Sequence, residues 1–290
     1  MRTRAISSIW VVVIGLVPVL LGGPLFALLL LSLGLIGYRE FLVLVNRINI
    51  DRPPLAGYLV VACLSLVALT TPSVVALAAI IAAAIVIPFA IVVFRSDSAG
   101  AILVWSVAVT GSLYIGLPLF AAAALRTAPG TLDARWLIDL AEWFAVSWSP
   151  QPRGLAWLLI VILAIWLGDT VAFLVGRTWG RHKLISKVSP NKTWEGAMGG
   201  LCGSAAAGAV GVSLFGLGIP IIIGALIGLL LGAVGQTGDL SESYLKRQAG
   251  VKDSGNLIPG HGGVLDRIDA LLFALPAGWV LAHVVDRITR

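Results

Sequence analysis

Apolar residues in this chain come in long unbroken blocks rather than in alternation. Nine can be marked, at residues 6–21, 24–45, 55–71, 73–94, 101–125, 154–176, 197–217, 219–236 and 267–285. Each approaches the ~20 residues that carry an α-helix across ~30 Å of hydrocarbon. A membrane barrel would instead show short alternating strands. The pattern predicts an all-α polytopic integral membrane protein of about nine transmembrane helices.

Composition narrows the field further. The chain is 59% hydrophobic and 12% charged, against about 25% charged in soluble domains. Soluble, secreted, disordered and fibrous classes are excluded. Cys63 and Cys202 both lie inside apolar blocks, so no disulfide framework is expected. Block 6–21 follows the basic start Met1-Arg2-Thr3-Arg4, as a signal peptide would. It then runs through Leu21-Gly22-Gly23-Pro24 into a second block with no small-x-small cleavage pattern. We read it as a first membrane helix.

The net charge is +6, and on such a chain basic residues report orientation rather than a nucleic-acid partner. With nine spans and a cytoplasmic N-terminus, only Arg126, Arg135, Arg153, Arg287 and Arg290 of the 20 basic residues fall outside. This matches the positive-inside rule.

The blocks divide into unlike regions. Residues 1–126 read as a hydrophobic transmembrane scaffold, in which Glu40 follows Arg39 near a span end and the pair can reach the interface. Pro88 and Pro118 are expected to kink their spans. Residues 127–153 form an outer connection. Its stretch 132–144, with Trp136 and Trp143, and then Trp148 beyond, suggests a helix lying in the interface. Residues 154–290 read as a catalytic transmembrane region. Seven of the chain's 14 acidic residues and nine of its 20 basic ones lie between Asp169 and Asp269.

Asp169 sits inside the sixth block, seven residues (about 10 Å of helix) before Gly176. A carboxylate at that depth is costly and points to a site, or to a hydrogen-bonded structural role. Asp239 and Glu242 follow the eighth block, and Asp266 and Asp269 open the ninth, three apart on one helix face. A single aspartate there would be an ordinary helix cap. Five acidic groups at three inner helix ends, with little Cys or His, suit a hard cation with oxygen ligands, Mg²⁺ above all.

The connections between these blocks, 177–196 and 246–263, are basic and glycine-rich. Glycines let backbone N–H groups approach phosphate oxygens, and lysines and arginines neutralise them. Basic loops also serve as topology signals and headgroup contacts. Ser189-Pro190-Asn191-Lys192-Thr193-Trp194-Glu195 doubles as a helix-start signal. Carboxylates and cations together suggest phosphoryl-type transfer. Gly196, Gly200, Ser204 and Gly208 recur at fours, and Gly224, Gly228, Gly232 and Gly235 nearly so. Such stripes let helices approach closely, within the chain first and between copies second.

One long run is more specific than these parts. Ser243-x-x-Lys246-Arg247, then Lys252-Asp253, then Pro259-Gly260-His261-Gly262-Gly263-x-x-Asp266-Arg267-x-Asp269 resembles the signature of phosphatidate cytidylyltransferases, the CDP-diacylglycerol synthases. Ser189-Pro190-x-Lys192-Thr193-x-Glu195-Gly196, Gly168-Asp169 and Gly238-Asp239-Leu240 are similar to that family's other motifs. The motifs span roughly the last two-fifths of the chain.

The resemblance implies CTP and phosphatidate as substrates, Mg²⁺ as cofactor, and a membrane-embedded homodimer in the cell membrane with its site at the cytoplasmic face. It implies Asp239 and Asp266 as metal ligands, with Asp269 and Asp169 nearby. Lys192, Lys246, Arg247, Lys252 and Arg267 would clamp phosphates. Ser189, Asn191, Thr193, Glu195, Ser243, Asp253, Gly262 and Gly263 would line the substrate site. His261 would bind phosphate, carry a proton or shape its turn, while His182 and His283 are bystanders. A CTP-dependent polyprenol or phytol kinase and a cation-coupled transporter are the rival readings.

Overall fold

Proline and glycine decide where the apolar blocks become helices. The computed structural model describes residues 13–50, 55–70, 72–94, 100–130, 132, 134, 136, 139, 153–257 and 262–288. Residues 13–21 are helical. Then follow α1 (Gly23–Arg47), α2 (Ala56–Leu66), α3 (Val74–Val93), α4 (Ala101–Arg126), α5 (Arg153–Trp179), strands β1 (Lys183–Ile185) and β2 (Ser189–Thr193), α6 (Trp194–Leu214), α7 (Ile221–Gln248) and α8 (Leu265–Ile288). Pro24 stands in the first turn of α1, where its missing N–H is harmless.

Among the described residues, seven helices are long and apolar enough to cross a membrane. The chain is a multi-pass helical membrane protein, and the expected count of nine is approximate. The block at 55–71 gives an 11-residue α-helix and one 3₁₀ turn, Val67–Leu69. Prolines on both sides, Pro54 and Pro72, disfavour helix at the residues preceding them. Most of the interfacial stretch at 132–144, with Trp143, and Trp148 beyond it lie outside the described residues. Trp136 is described: its Nε1 donates to the Leu214 carbonyl at 3.0 Å.

The chain divides into two compact units. One comprises Met1–Ala123 with Tyr244–Ile268, the other Ala124–Ser243 with Asp269–Arg290. In the first unit, glycines receive bulky neighbours. A Cβ on Gly57 would collide with the Tyr38 hydroxyl, one on Gly111 with the Phe41 ring, and one on Gly34 with Val61, Leu119 and Ser65. Trp105 Nε1 donates to the Ile85 carbonyl at 2.9 Å, tying α4 to α3. Most of α3 is exposed and apolar, the character of a lipid-facing helix.

The second unit is built on the glycine stripes, and their use within the chain is as expected. A Cβ on Gly196 would meet the Ala172 carbonyl at 2.9 Å, and one on Gly200 the Gln236 side chain at 2.8 Å. A Cβ on Gly208 would stand 2.7 Å from the Gly228 nitrogen. Ser204, in the same stripe, donates to the Ala164 carbonyl at 2.7 Å. Arg153 closes the other end, bonding Asp286 at 2.8 Å and the Leu217 carbonyl at 3.1 Å. Because a Cβ on Gly228 would run into the Ser204 carbonyl, which is backbone and cannot turn away, Gly228→Ala is expected to destabilise by about 1–3 kcal/mol. Thermal unfolding in detergent measures this; an unchanged midpoint would show that the helices separate freely.

Candidate active site

A short hairpin positions the second unit's polar groups. β1 and β2 pair antiparallel, with Lys183 opposite Thr193 and Ile185 opposite Ser189. Glu195 closes its base by accepting from Arg181 N at 3.1 Å, His182 N at 3.3 Å and His182 Nδ1 at 2.6 Å. Glu195 is thus a hairpin clasp, and His182 its partner rather than a bystander. Thr193 is the N-cap of α6, its Oγ1 accepting from Gly196 N at 3.1 Å. The helix-start reading of 189–195 holds, with a β-strand leading into the cap.

The hairpin, α5, α6 and α7 enclose a cavity of about 440 Å³. Asp169, Arg177, Asn191, Lys192, Gln236 and Asp239 give it a polar lining, and Ala172, Phe173, Leu184 and Leu240 an apolar one. Lys192 Nζ lies 2.5 Å from Asp239 Oδ2. Ser243 Oγ donates to the other oxygen, Oδ1, at 3.4 Å. Asp169 interacts electrostatically with both Asp239 and Lys192. Asp169 thus lines the same cavity as Asp239 and Lys192. The Asp169 and Asp239 carboxylates and the Asn191 amide oxygen are the kind of oxygen donors a hard cation takes, while the Lys192 ammonium is a counter-charge and not a ligand.

Where the eighth apolar block stops at residue 236, the structure does not: α7 continues to Gln248 as one helix. Lys246 and Arg247 are thus its last turn, not loop residues as the sequence suggested. Asp239, Glu242, Ser243 and Lys246 follow at threes and fours along one helix face. Glu242 is fully buried. Arg247 donates to the Val251 carbonyl at 3.0 Å, where a cation suits a helix C-terminus.

The first unit holds a second cluster. Lys246 Nζ lies 2.6 Å from Asp266 Oδ1, the side chains 10% and 6% exposed. Asp266 Oδ2 accepts from Ser254 N at 2.8 Å, Ser254 Oγ at 2.9 Å and Gly263 N at 2.8 Å. The reach back to Gly263, three residues earlier, is that of a capping box. Gly262 has φ +83°, a conformation that favours glycine. Lys252, Asp253 and Arg267 are exposed. His261 lies outside the described residues. Asp269, which belongs to the second unit, accepts at Oδ1 from Ala270 N at 2.7 Å.

Among the described residues, no three acidic, histidine or cysteine side chains gather as a ready-made metal cage. Asp239 and Asp266 each hold a lysine ammonium instead.

Glu40 was missed as more than an interfacial residue. It is 7% exposed and accepts from Val264 N, Leu265 N and Ser254 Oγ. Its sequence signal was only a lone acid in an apolar block. Arg177, Phe173, Leu184 and Ser254 were also not singled out.

Fold and cavity together define a class: a multi-pass helical membrane protein with a lysine-paired carboxylate set beside an apolar wall. The chain belongs to the cytidylyltransferase family, whose model matches residues 2–285. It is 44% identical over 133 residues to a phosphatidate cytidylyltransferase of Staphylococcus saprophyticus, covering 46% of this chain and 51% of that one. It is 43% identical over 156 residues to the enzyme of that name from Synechocystis, covering 52% and 53%. A third, from Brucella abortus, is 45% identical over 128 residues, covering 43% and 46%. The aligned region spans about half the length of the curated relatives it matches.

Proposed function

We propose that this protein transfers the cytidylyl group of CTP to phosphatidate, giving CDP-diacylglycerol and pyrophosphate. The observation that carries this is the cavity where Lys192, Asp239, Asp169 and Arg177 meet an apolar wall. Phosphate-binding cations and lipid-compatible surface stand side by side there, as a phospholipid substrate with a nucleotide partner requires. Three curated relatives bearing the name phosphatidate cytidylyltransferase support the same reading.

A phosphate oxygen of phosphatidate attacks the α-phosphorus of CTP. The bond from that phosphorus to its bridging oxygen breaks, and pyrophosphate leaves. The attacking phosphate is already anionic, so positioning and charge stabilisation carry the catalysis. Lys192 and Arg177 bind phosphate oxygens in the cavity. Phe173, Leu184 and Leu240 take the adjoining acyl-chain carbons. Ser243 and Lys192 orient the Asp239 carboxylate.

Mg²⁺ belongs to this reading, with Asp239 and Asp169 as its carboxylates and Asn191 as a further oxygen donor. Held by these residues, it would supply neutralisation of polyphosphate charge and polarisation of the phosphoryl group. Asp266, the second ligand the resemblance implies, lies in the other unit, with three hydrogen bonds on Oδ2. The cytoplasmic facing of the site is supported by the distribution of basic residues, and the homodimer by the family resemblance.

The test is purified protein in mixed micelles with CTP, phosphatidate and Mg²⁺. CDP-diacylglycerol and pyrophosphate are expected in equal amounts. Absence of both overturns the proposal; a phosphorylated alcohol with CDP, formed when a lipid alcohol is supplied, would favour a lipid kinase.

A further inference from the structure

We infer that Glu40 is a positioning residue: from α1, it fixes the Lys246–Asp266 pair through Ser254 and the first turn of α8. The inference rests on the cytidylyl-transfer reading and concerns groups of the first unit alone.

The geometry is specific. Glu40 Oε1 accepts from Val264 N at 3.1 Å, and Oε2 from Leu265 N at 2.8 Å and Ser254 Oγ at 3.0 Å. The first N–H groups of a helix have no partner inside it, and a carboxylate from elsewhere in the chain answers two of them here. The attraction of an anion for a helix N-terminus adds to those bonds.

Ser254 links the two carboxylates. Its Oγ stands 3.0 Å from Glu40 and 2.9 Å from Asp266 Oδ2. A hydroxyl has one proton, so the two acids share it, while Ser254 N holds Asp266 alone at 2.8 Å. Asp266 in turn sets Lys246 through its other oxygen, at 2.6 Å. The chain Glu40–Ser254–Asp266–Lys246 therefore runs without a break from an apolar helix to a residue of the signature.

Two glycines are shaped around this carboxylate. A Cβ on Gly263 would collide with both Glu40 oxygens, and one on Gly255 would stand 2.5 Å from Oε1. The last glycine of Gly262-Gly263 thus has a steric reason to be glycine, apart from any phosphate. Groups that hold a metal-ligating side chain in place, the role the resemblance implies for Asp266, typically matter about 10–100-fold for activity or metal affinity.

The experiment compares the parent with Glu40→Gln, Glu40→Asp and Ser254→Ala, each isolated as folded protein by gel filtration. In CDP-diacylglycerol formation, Glu40→Gln is expected to lower kcat about 10–100-fold, more than it changes KM for CTP, with Glu40→Asp recovering part of the loss. Ser254→Ala keeps the Glu40 bonds to residues 264 and 265 and so should fold; about a ten-fold loss of kcat is expected.

Unchanged kcat in folded Glu40→Gln and Ser254→Ala overturns the inference. If Glu40→Gln does not fold, Ser254→Ala decides alone. Amide exchange at Val264 and Leu265, expected to speed up in Glu40→Asp, is read whether or not the parent is active. An inactive parent removes the cytidylyl-transfer reading, and unchanged exchange then removes the inference as well. An active parent with unperturbed variants removes the inference only.

Discussion

Asp239→Asn is expected to lower CDP-diacylglycerol formation by about two to three orders of magnitude, about 3–4 kcal/mol in the barrier. The carboxylate faces the cavity, 2.5 Å from Lys192 and beside Asp169. The amide keeps the shape but loses the charge. Lys192 is then left without its anion, and the Mg²⁺ proposed for this cavity would lose a carboxylate donor. The loss should appear in kcat and in the Mg²⁺ concentration needed for half-maximal rate. A variant with parental rate and parental Mg²⁺ dependence would remove Asp239 from the chemistry.

Lys246→Met should produce the largest loss of stability. The ion pair it breaks is nearly desolvated, at 10% and 6% side-chain exposure. Removing one partner of a buried pair leaves an uncompensated charge and costs about 3–5 kcal/mol. Asp266 keeps three donors on Oδ2, so the lower end, about 3 kcal/mol, is expected. Thermal unfolding in detergent gives the number. The double variant Lys246→Met with Asp266→Leu should lose less than the two single variants added together, because it strands neither charge. A loss below about 1 kcal/mol in Lys246→Met would show the pair to be solvated, like a surface pair.

Much of this molecule follows from apolar block length. Blocks 24–45, 73–94, 101–125 and 154–176 became α1, α3, α4 and α5 within a few residues, because hydrocarbon thickness sets a helix length that composition can meet. The glycine stripes were readable because close helix approach requires small residues at a fixed spacing. The Lys192 and Asp239 motifs were readable too, and the fold brings them into contact.

What was not legible has definite causes. β2 is the five residues Ser189–Thr193, too short and too polar to alternate visibly. The last turns of α7 hide because Thr237–Gln248 loses the apolar periodicity without losing helical propensity: Leu, Glu, Lys, Arg and Gln all favour helix. Glu40 was read as interfacial because Arg39 precedes it. Its partners lie 214 to 225 residues away, and no local pattern encodes a contact at that separation.

The unbroken course of α7 also sets a depth. Its 28 residues measure about 42 Å, against about 30 Å of hydrocarbon. With the hydrocarbon boundary taken at Ile221, the apolar thickness is used up near Leu240, which would set Asp239 at about the level of the phospholipid headgroups and Lys246 about two turns beyond it. On the proposed reaction, a diacyl substrate would present its phosphate to Lys192 and Arg177 while both tails stay in the leaflet. A water-soluble nucleotide would need to descend no further than the surface, and the proposed reaction would avoid the cost of lifting a lipid out of the membrane.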